Sequence, residues 1–197
     1  MLLPLLLALC TALCRLWWLA LPLLLLTALM AYFFRDPHRA VPTEANIVVA
    51  PADGRVTRAG PVTPDQPAGP NVVSIFLSPL DVHINRAPIA GEITDVSHTR
   101  GRFLMATRAE ASVVNEQTAL TIRGEYITVV CRQIAGVLAR RIVCWKRAGD
   151  TVALGERFGL IKFSSRTDVV LPPEVALEIK VGARVRGGVT IIGRVRT

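Results

Sequence analysis

Lysine is nearly absent from this 197-residue chain: of 23 basic residues only Lys146, Lys162 and Lys180 are lysine, and the rest are arginine. Aromatic residues make up 6%, and four cysteines are too sparse to build a disulfide scaffold. Charge is almost missing from the first 34 residues, where Arg15 stands alone. Signatures of zinc hydrolases and nucleotide loops are missing as well: there is no H-E-x-x-H, C-x-x-C, G-x-x-x-x-G-K-[ST] or G-x-G-x-x-G, and no close pair of histidines. What remains is a chain that is 51% hydrophobic, which excludes a disordered tail, with a net charge of +8. That charge serves either solubility or attraction to lipid or nucleic acid, and its arginine bias suits a surface facing phosphates, where a planar fork binds better than a point charge.

Arg15 divides the apolar amino terminus into residues 1–14 and 16–34. The second arm reaches about 28 Å as a helix, close to the hydrocarbon thickness of a bilayer. Trp17 and Trp18 would mark one interface, with Tyr32, Phe33 and Phe34 near the other. A signal peptide is disfavoured, because no basic residue precedes the apolar run and Leu29-Met30-Ala31 is a poor cleavage site. The leading expectation is a membrane anchor over 1–34 with a single span from about Leu16 to Phe34; a helical hairpin or a segment dipping into one leaflet is the alternative. Arg35, His38 and Arg39 follow the long arm, which places the body at a cell membrane on its cytoplasmic side. Cys10 and Cys14 read as small packing residues.

After Arg35, short runs rich in valine and isoleucine alternate with Gly, Pro and Asp turns: 46–50, 71–77, 119–122, 126–131 and 169–171. This spacing predicts a mainly β domain over 35–197, a sandwich or barrel-sandwich of short strands, with an exposed loop at 65–70. Residues 148–155 and 181–188 form a weak repeat offset by 33 positions. Paired units of this kind occur in the flattened sandwiches of biotinyl and lipoyl carriers. Those carriers present a lysine at a hairpin tip, whereas Lys162 reads as strand, which argues against a carrier.

Three stretches could bear chemistry. Asp53 lies on a tight turn in Ala50-Pro-Ala-Asp-Gly-Arg-Val56, where an ordinary turn aspartate is the simplest reading. His83 lies in Leu77-Ser-Pro-Leu-Asp-Val-His-Ile-Asn-Arg-Ala-Pro88, whereas His38 and His98 have less distinctive settings. Ser164 and Ser165 are adjacent, between two apolar runs, in Phe158-Gly-Leu-Ile-Lys-Phe-Ser-Ser-Arg-Thr-Asp-Val-Val-Leu-Pro172. An acid, a histidine and a serine suit nucleophilic catalysis, but such a trio is common by chance.

These stretches, together with Phe33-Phe-Arg-Asp-Pro37, Gln133-Ile-Ala-Gly136, Ala139-Arg-Arg-Ile142 and Gly155-Glu-Arg-Phe-Gly159, resemble the short membrane-anchored phosphatidylserine decarboxylases. The match runs in order from about Phe33 to Gly193. Archaetidylserine decarboxylases are similar, so the lipid backbone stays open. The resemblance implies a carboxy-lyase that converts phosphatidylserine to phosphatidylethanolamine and CO2. It implies self-cleavage between Ser164 and Ser165 into 1–164 and 165–197, with Ser165 becoming a pyruvoyl group that forms a Schiff base with the substrate; no metal and no pyridoxal phosphate are needed. By the same resemblance His83 is the general base and acid and Asp53 orients it, with Arg86 and Arg166 as candidates for substrate contact. The implied partners are phosphatidylserine and anionic membrane lipid, not nucleic acid. The two fragments stay associated, and a homodimer is compatible with this reading. One departure stands out: the family normally has glycine before the modified serine, and this chain has Ser164. An unprocessed, membrane-tethered lipid-binding or scaffold homologue is therefore the alternative.

Overall fold

The structure, a computed structural model, describes residues 2–137, 141–162 and 165–196. The expectations resting on Ser164 lie outside them. The chain forms two compact units that divide after Pro37.

The first unit is a helical hairpin, α1 (Leu2–Leu13) against α2 (Trp17–Phe33). Its corner is made by the one charge in the run. Arg15 takes a left-handed conformation (φ 60°), Leu16 N–H donates to Thr11 O at 2.8 Å and Arg15 N–H to Ala12 O at 2.9 Å. That is a Schellman stop, usually made with glycine, and it ends α1. Thr11 and Thr27 turn their hydroxyls onto carbonyls of the preceding turn, as polar side chains do on an otherwise apolar helix. The segment expected to run from Leu16 to Phe34 is one helix of 17 residues, and residues 2–13 form a second of 12, so the apolar amino terminus takes the helical-hairpin form given as the alternative. Among the described residues no helix is long and apolar enough to cross a membrane.

The second unit is almost entirely β. Its strands are β1 (Ile47–Val49), β2 (Gly54–Pro61), β3 (Asn71–Leu77), β4 (Ile84–Arg86), β5 (Gly91–Thr99), β6 (Gln117–Arg123) and β7 (Thr128–Ile134). They continue as β8 (Ile142–Cys144), β9 (Thr151–Val152), β10 (Arg157–Ile161), β11 (Ser165–Leu171), β12 (Val175–Leu177), β13 (Arg184–Val185) and β14 (Ile191–Val195). A one-turn helix, α3 (Ala111–Val114), precedes β6. Eight strands form one antiparallel sheet in the order β13-β2-β3-β11-β7-β6-β5-β9. Two three-stranded sheets, β1-β14-β12 and β4-β10-β8, complete the unit. The core includes Val48, Val73, Ile75, Leu120, Ile122, Cys131, Phe158, Val169 and Ile192. β11 is buried along nearly its whole length because it runs mid-sheet, whereas β6 alternates buried and half-buried positions.

The large sheet reads the same from either end, and its register shows why. β13 meets β2 at Arg184↔Arg55 and Val185↔Gly54; β9 meets β5 at Thr151↔Glu92 and Val152↔Gly91. β2 and β5 both carry an irregularity, between Val56/Arg58 and Ile93/Asp95. Val49 N–H donates to Pro88 O, and Arg86 N–H to Pro51 O, both at 2.9 Å. The second unit is thus an internal duplication. The repeat at 148–155 and 181–188 is one part of it: Gly149 and Gly182 share φ 90° and 91°, and Gly155 and Gly188 share 72° and 73°. The other part went unread in the sequence, although Ala50-Pro-Ala-Asp-Gly-Arg-Val56 and Ala87-Pro-Ile-Ala-Gly-Glu-Ile93 spell it out.

The duplication has one asymmetry. In one half a tight hairpin, with Gly124 N–H donating to Ile127 O, joins β6 to β7. At the equivalent corner the chain leaves after Leu77, builds the other half, and returns at Ser165 opposite Leu77.

Candidate active site

Ser165 is therefore both the first residue of the strand at the middle of the sheet and the place where the chain re-enters it. It is fully buried, and its Oγ has no hydrogen-bond partner among the described residues. An unsatisfied buried hydroxyl costs on the order of 1–3 kcal/mol, so this position is not optimised for stability.

His83 precedes β4 and is 2% exposed. Its Nδ1 lies 2.9 Å from the Asp81 carbonyl oxygen. A carbonyl can only accept, so Nδ1 carries the proton of the neutral ring and Nε2 is the basic nitrogen. Asp81 is itself fixed by a turn: its Oδ2 accepts from Ser78 N–H at 2.8 Å and from the Ser78 hydroxyl at 2.7 Å.

Two ties bring the His83 segment to β11. Ile161 N–H donates to His83 O at 3.2 Å, so His83 sits beside the end of β10, four residues before Ser165. Asn85, two residues after His83, donates from Nδ2 to Thr167 Oγ1 at 2.9 Å. Thr167 shares the face of β11 with Ser165. Gln133 on β7 extends the line, donating from Nε2 to Asn85 Oδ1 at 2.8 Å. All three are buried. The sequence reading gave Asn85, Gln133 and Thr167 no role; the available signal was three polar residues inside strand-like apolar runs.

Asp53 is held by two donors, Arg39 Nη2 at 2.6 Å and Gly187 N–H at 2.8 Å. Among the described residues neither bond goes to His83; the partner of Nδ1 is the Asp81 carbonyl. Asp53 is nonetheless near Ser165. The following Gly54 (φ +151°) presses on β3 so closely that a Cβ would lie 2.1 Å from Phe76 O, and Phe76 pairs with Arg166. Two strand spacings, about 10 Å, separate them. The duplicate supports this. Ile127, Ala90 and Leu154, the counterparts of Ser165, Asp53 and Gly187, line one cavity of about 320 Å³. In the sequence Arg39 stands out only as part of the charge flanking the apolar run.

Arg86 is buried on β4 with Nη1 on Gly155 O at 3.1 Å. Arg166 is 5% exposed and forms a two-pronged pair with Asp168, both bonds 2.7 Å, while Nη1 donates to the carbonyls of Ala106 and Arg108. It thereby holds the loop before α3, which Asn115 also grips through Leu104 N–H and O. Burial drives the Cys131 thiol far above its usual range, with the Asp168 charge adding to the shift, and burial also raises Cys144. Neither is a thiolate at neutral pH. Among the described residues no three of His, Cys, Asp and Glu are grouped to hold a metal ion.

A buried serine at a strand start, with a histidine proton pinned on Nδ1 and tied to the same strand through Asn85 and Thr167, forms a candidate serine-centred site on a β frame. The chain belongs to the phosphatidylserine decarboxylase family, whose sequence model matches residues 26–193. A phosphatidylserine decarboxylase proenzyme from Solibacter usitatus (strain Ellin6076) is 48% identical over 193 residues, covering 95% of this chain and 92% of its own length. Proenzymes of the same name from Chlorobium chlorochromatii (strain CaD3) and Gluconobacter oxydans (strain 621H) are 46% and 48% identical. These matches cover 83% and 85% of this chain, and 77% of each relative. The family consists of pyruvoyl-dependent carboxy-lyases.

Proposed function

We propose that this chain is made as a proenzyme, cuts itself between Ser164 and Ser165, and decarboxylates phosphatidylserine to phosphatidylethanolamine and CO2 in phospholipid biosynthesis. The observation that carries this reading is the Ser165 hydroxyl, buried without a hydrogen-bond partner among the described residues at the head of the middle strand.

The self-cleavage uses groups already described. His83 Nε2 takes the hydroxyl proton and Ser165 Oγ adds to the carbonyl carbon of the preceding residue. Breaking the C–N bond moves the acyl group from nitrogen to oxygen. Loss of the Ser165 α-proton then expels the carboxylate that ends fragment 1–164, and water releases the nitrogen as ammonia. Asp53, held by Arg39 and Gly187, adds negative charge that favours the imidazolium. A site that consumes its own serine fits a hydroxyl left unpaired by the fold. The pyruvoyl group supplies a carbonyl to capture the substrate amine and a sink for the charge left as CO2 departs. His83 then returns a proton to the substrate carbon.

The apolar hairpin supports attachment to the cell membrane, with the β unit on the cytoplasmic side. The charge of +8 favours an anionic lipid. Intact-mass measurement of purified protein tests the proposal. It should give two chains whose break precedes residue 165, with the small one blocked at its amino terminus, and Ser165→Ala should give one full-length, inactive chain. Ser164 motivates a second reading, an unprocessed lipid-binding homologue. Full-length protein after long incubation, with cleavage restored in Ser164→Gly, would favour it.

A further inference from the structure

The second unit contains a cavity of about 450 Å³ lined by His38, Arg39, Arg86, Glu156 and Arg157. Four of these five are basic. The one acid is already committed: Glu156 accepts from Lys146 Nζ at 2.6 Å and from Ala153 N–H at 2.8 Å. The lining is therefore predominantly basic, with Asp53 paired to one of its arginines, Arg39.

Two of the arginines are built into the fold. Arg86 is 6% exposed, and its stem passes Gly188 so tightly that a Cβ there would lie 2.8 Å from Arg86 Cδ. Gly188 also has φ +73°, and its duplicate Gly155 supplies the carbonyl that Arg86 Nη1 binds. The Arg39 side chain is 11% exposed, and its Nε is shielded from solvent without a hydrogen-bond partner among the described residues. Planar N–H forks of this kind match phosphate oxygens.

The cavity adjoins the proposed active site on two sides. Arg39 holds Asp53, and Arg86 lies three residues from His83 along extended chain, about 10 Å before the reach of its side chain. We infer that this cavity binds the phosphodiester of the lipid headgroup, while the amine and carboxylate of the same headgroup extend toward His83 and Ser165. This rests on the proposed decarboxylation. It assigns substrate recognition to Arg39, Arg86 and Arg157, with His38 at the rim.

The test uses the full chain in detergent micelles, with Arg157→Gln as the variant because Arg157 is exposed and outside the core. Two substrates are compared: phosphatidylserine, and an O-alkylserine amphiphile with the same amine and carboxylate but no phosphate. The variant should raise KM for phosphatidylserine about tenfold to a hundredfold, the worth of one charge-assisted hydrogen bond. KM for the O-alkylserine should move less than twofold. Inorganic phosphate should compete with phosphatidylserine in the wild type and much less in the variant. An unchanged KM for phosphatidylserine overturns the inference. So does an equal rise for both substrates, which would mark general attraction to the micelle. If the wild type releases CO2 from neither substrate, the proposed function fails, and calorimetric titration with inorganic phosphate decides about the cavity. Binding that Arg157→Gln abolishes keeps it as a phosphate site, and absent or unchanged binding removes it.

Discussion

At the scale of the residue, the positions that matter are polar groups in apolar surroundings. The His83 Nδ1 proton is held by a backbone carbonyl, which fixes the tautomer. His83→Ala should therefore slow self-cleavage by about 10²–10⁴-fold, the usual contribution of a positioned base, as followed by the two fragments on a denaturing gel. Glu156 and Lys146 give a pH prediction. Lys146 holds the Glu156 carboxyl below its ordinary 4.5, and Glu156 holds the Lys146 ammonium above its ordinary 10.5. The acid's contribution is present above 4.5 and lost as pH falls through its lowered value. The base's contribution is present below 10.5 and lost as pH rises through its raised value. Glu156→Gln should thus lower the melting temperature slightly at neutral pH, and the difference from wild type should vanish in strong acid and strong base.

At the scale of the element, the buried pair Arg166–Asp168 ties β11 to the loop before α3. Asp168→Ala would leave a guanidinium buried with half its partners gone, at a cost of about 3–5 kcal/mol, seen as a lower denaturation midpoint in urea. The strands themselves were legible in the sequence. The run 71–77 matches β3, and 169–171 falls inside β11, because β-branched residues bounded by Gly and Pro leave few alternatives. Other features could not be read that way. The Arg15 corner was hidden because a non-glycine left-handed residue has no sequence mark. The Arg39–Asp53 bond joins residues 14 positions apart, and nothing local announces it. Resemblance to the family picked out Ser165 and His83, but it could not show that a carbonyl, rather than Asp53, receives the Nδ1 proton.

At the scale of the whole molecule, the duplicated sheet explains how a cut chain can remain one body. Residues 165–197 include β11, β12, β13 and β14, and β11 is paired on both sides along its length. Fragments 1–164 and 165–197 should therefore co-elute as one species on size exclusion and separate only under denaturant. Separation in mild buffer would contradict the pairing. The corner at Leu77 and Ser165 also governs timing. The middle strand follows β2, β3, β5, β6, β7 and β9 in the chain, so on the ribosome the centre of the sheet stays open until all six have emerged and β11 after them. The serine reaches its buried setting only then, so the order of synthesis would hold back the proposed cut until the strands around it are in place.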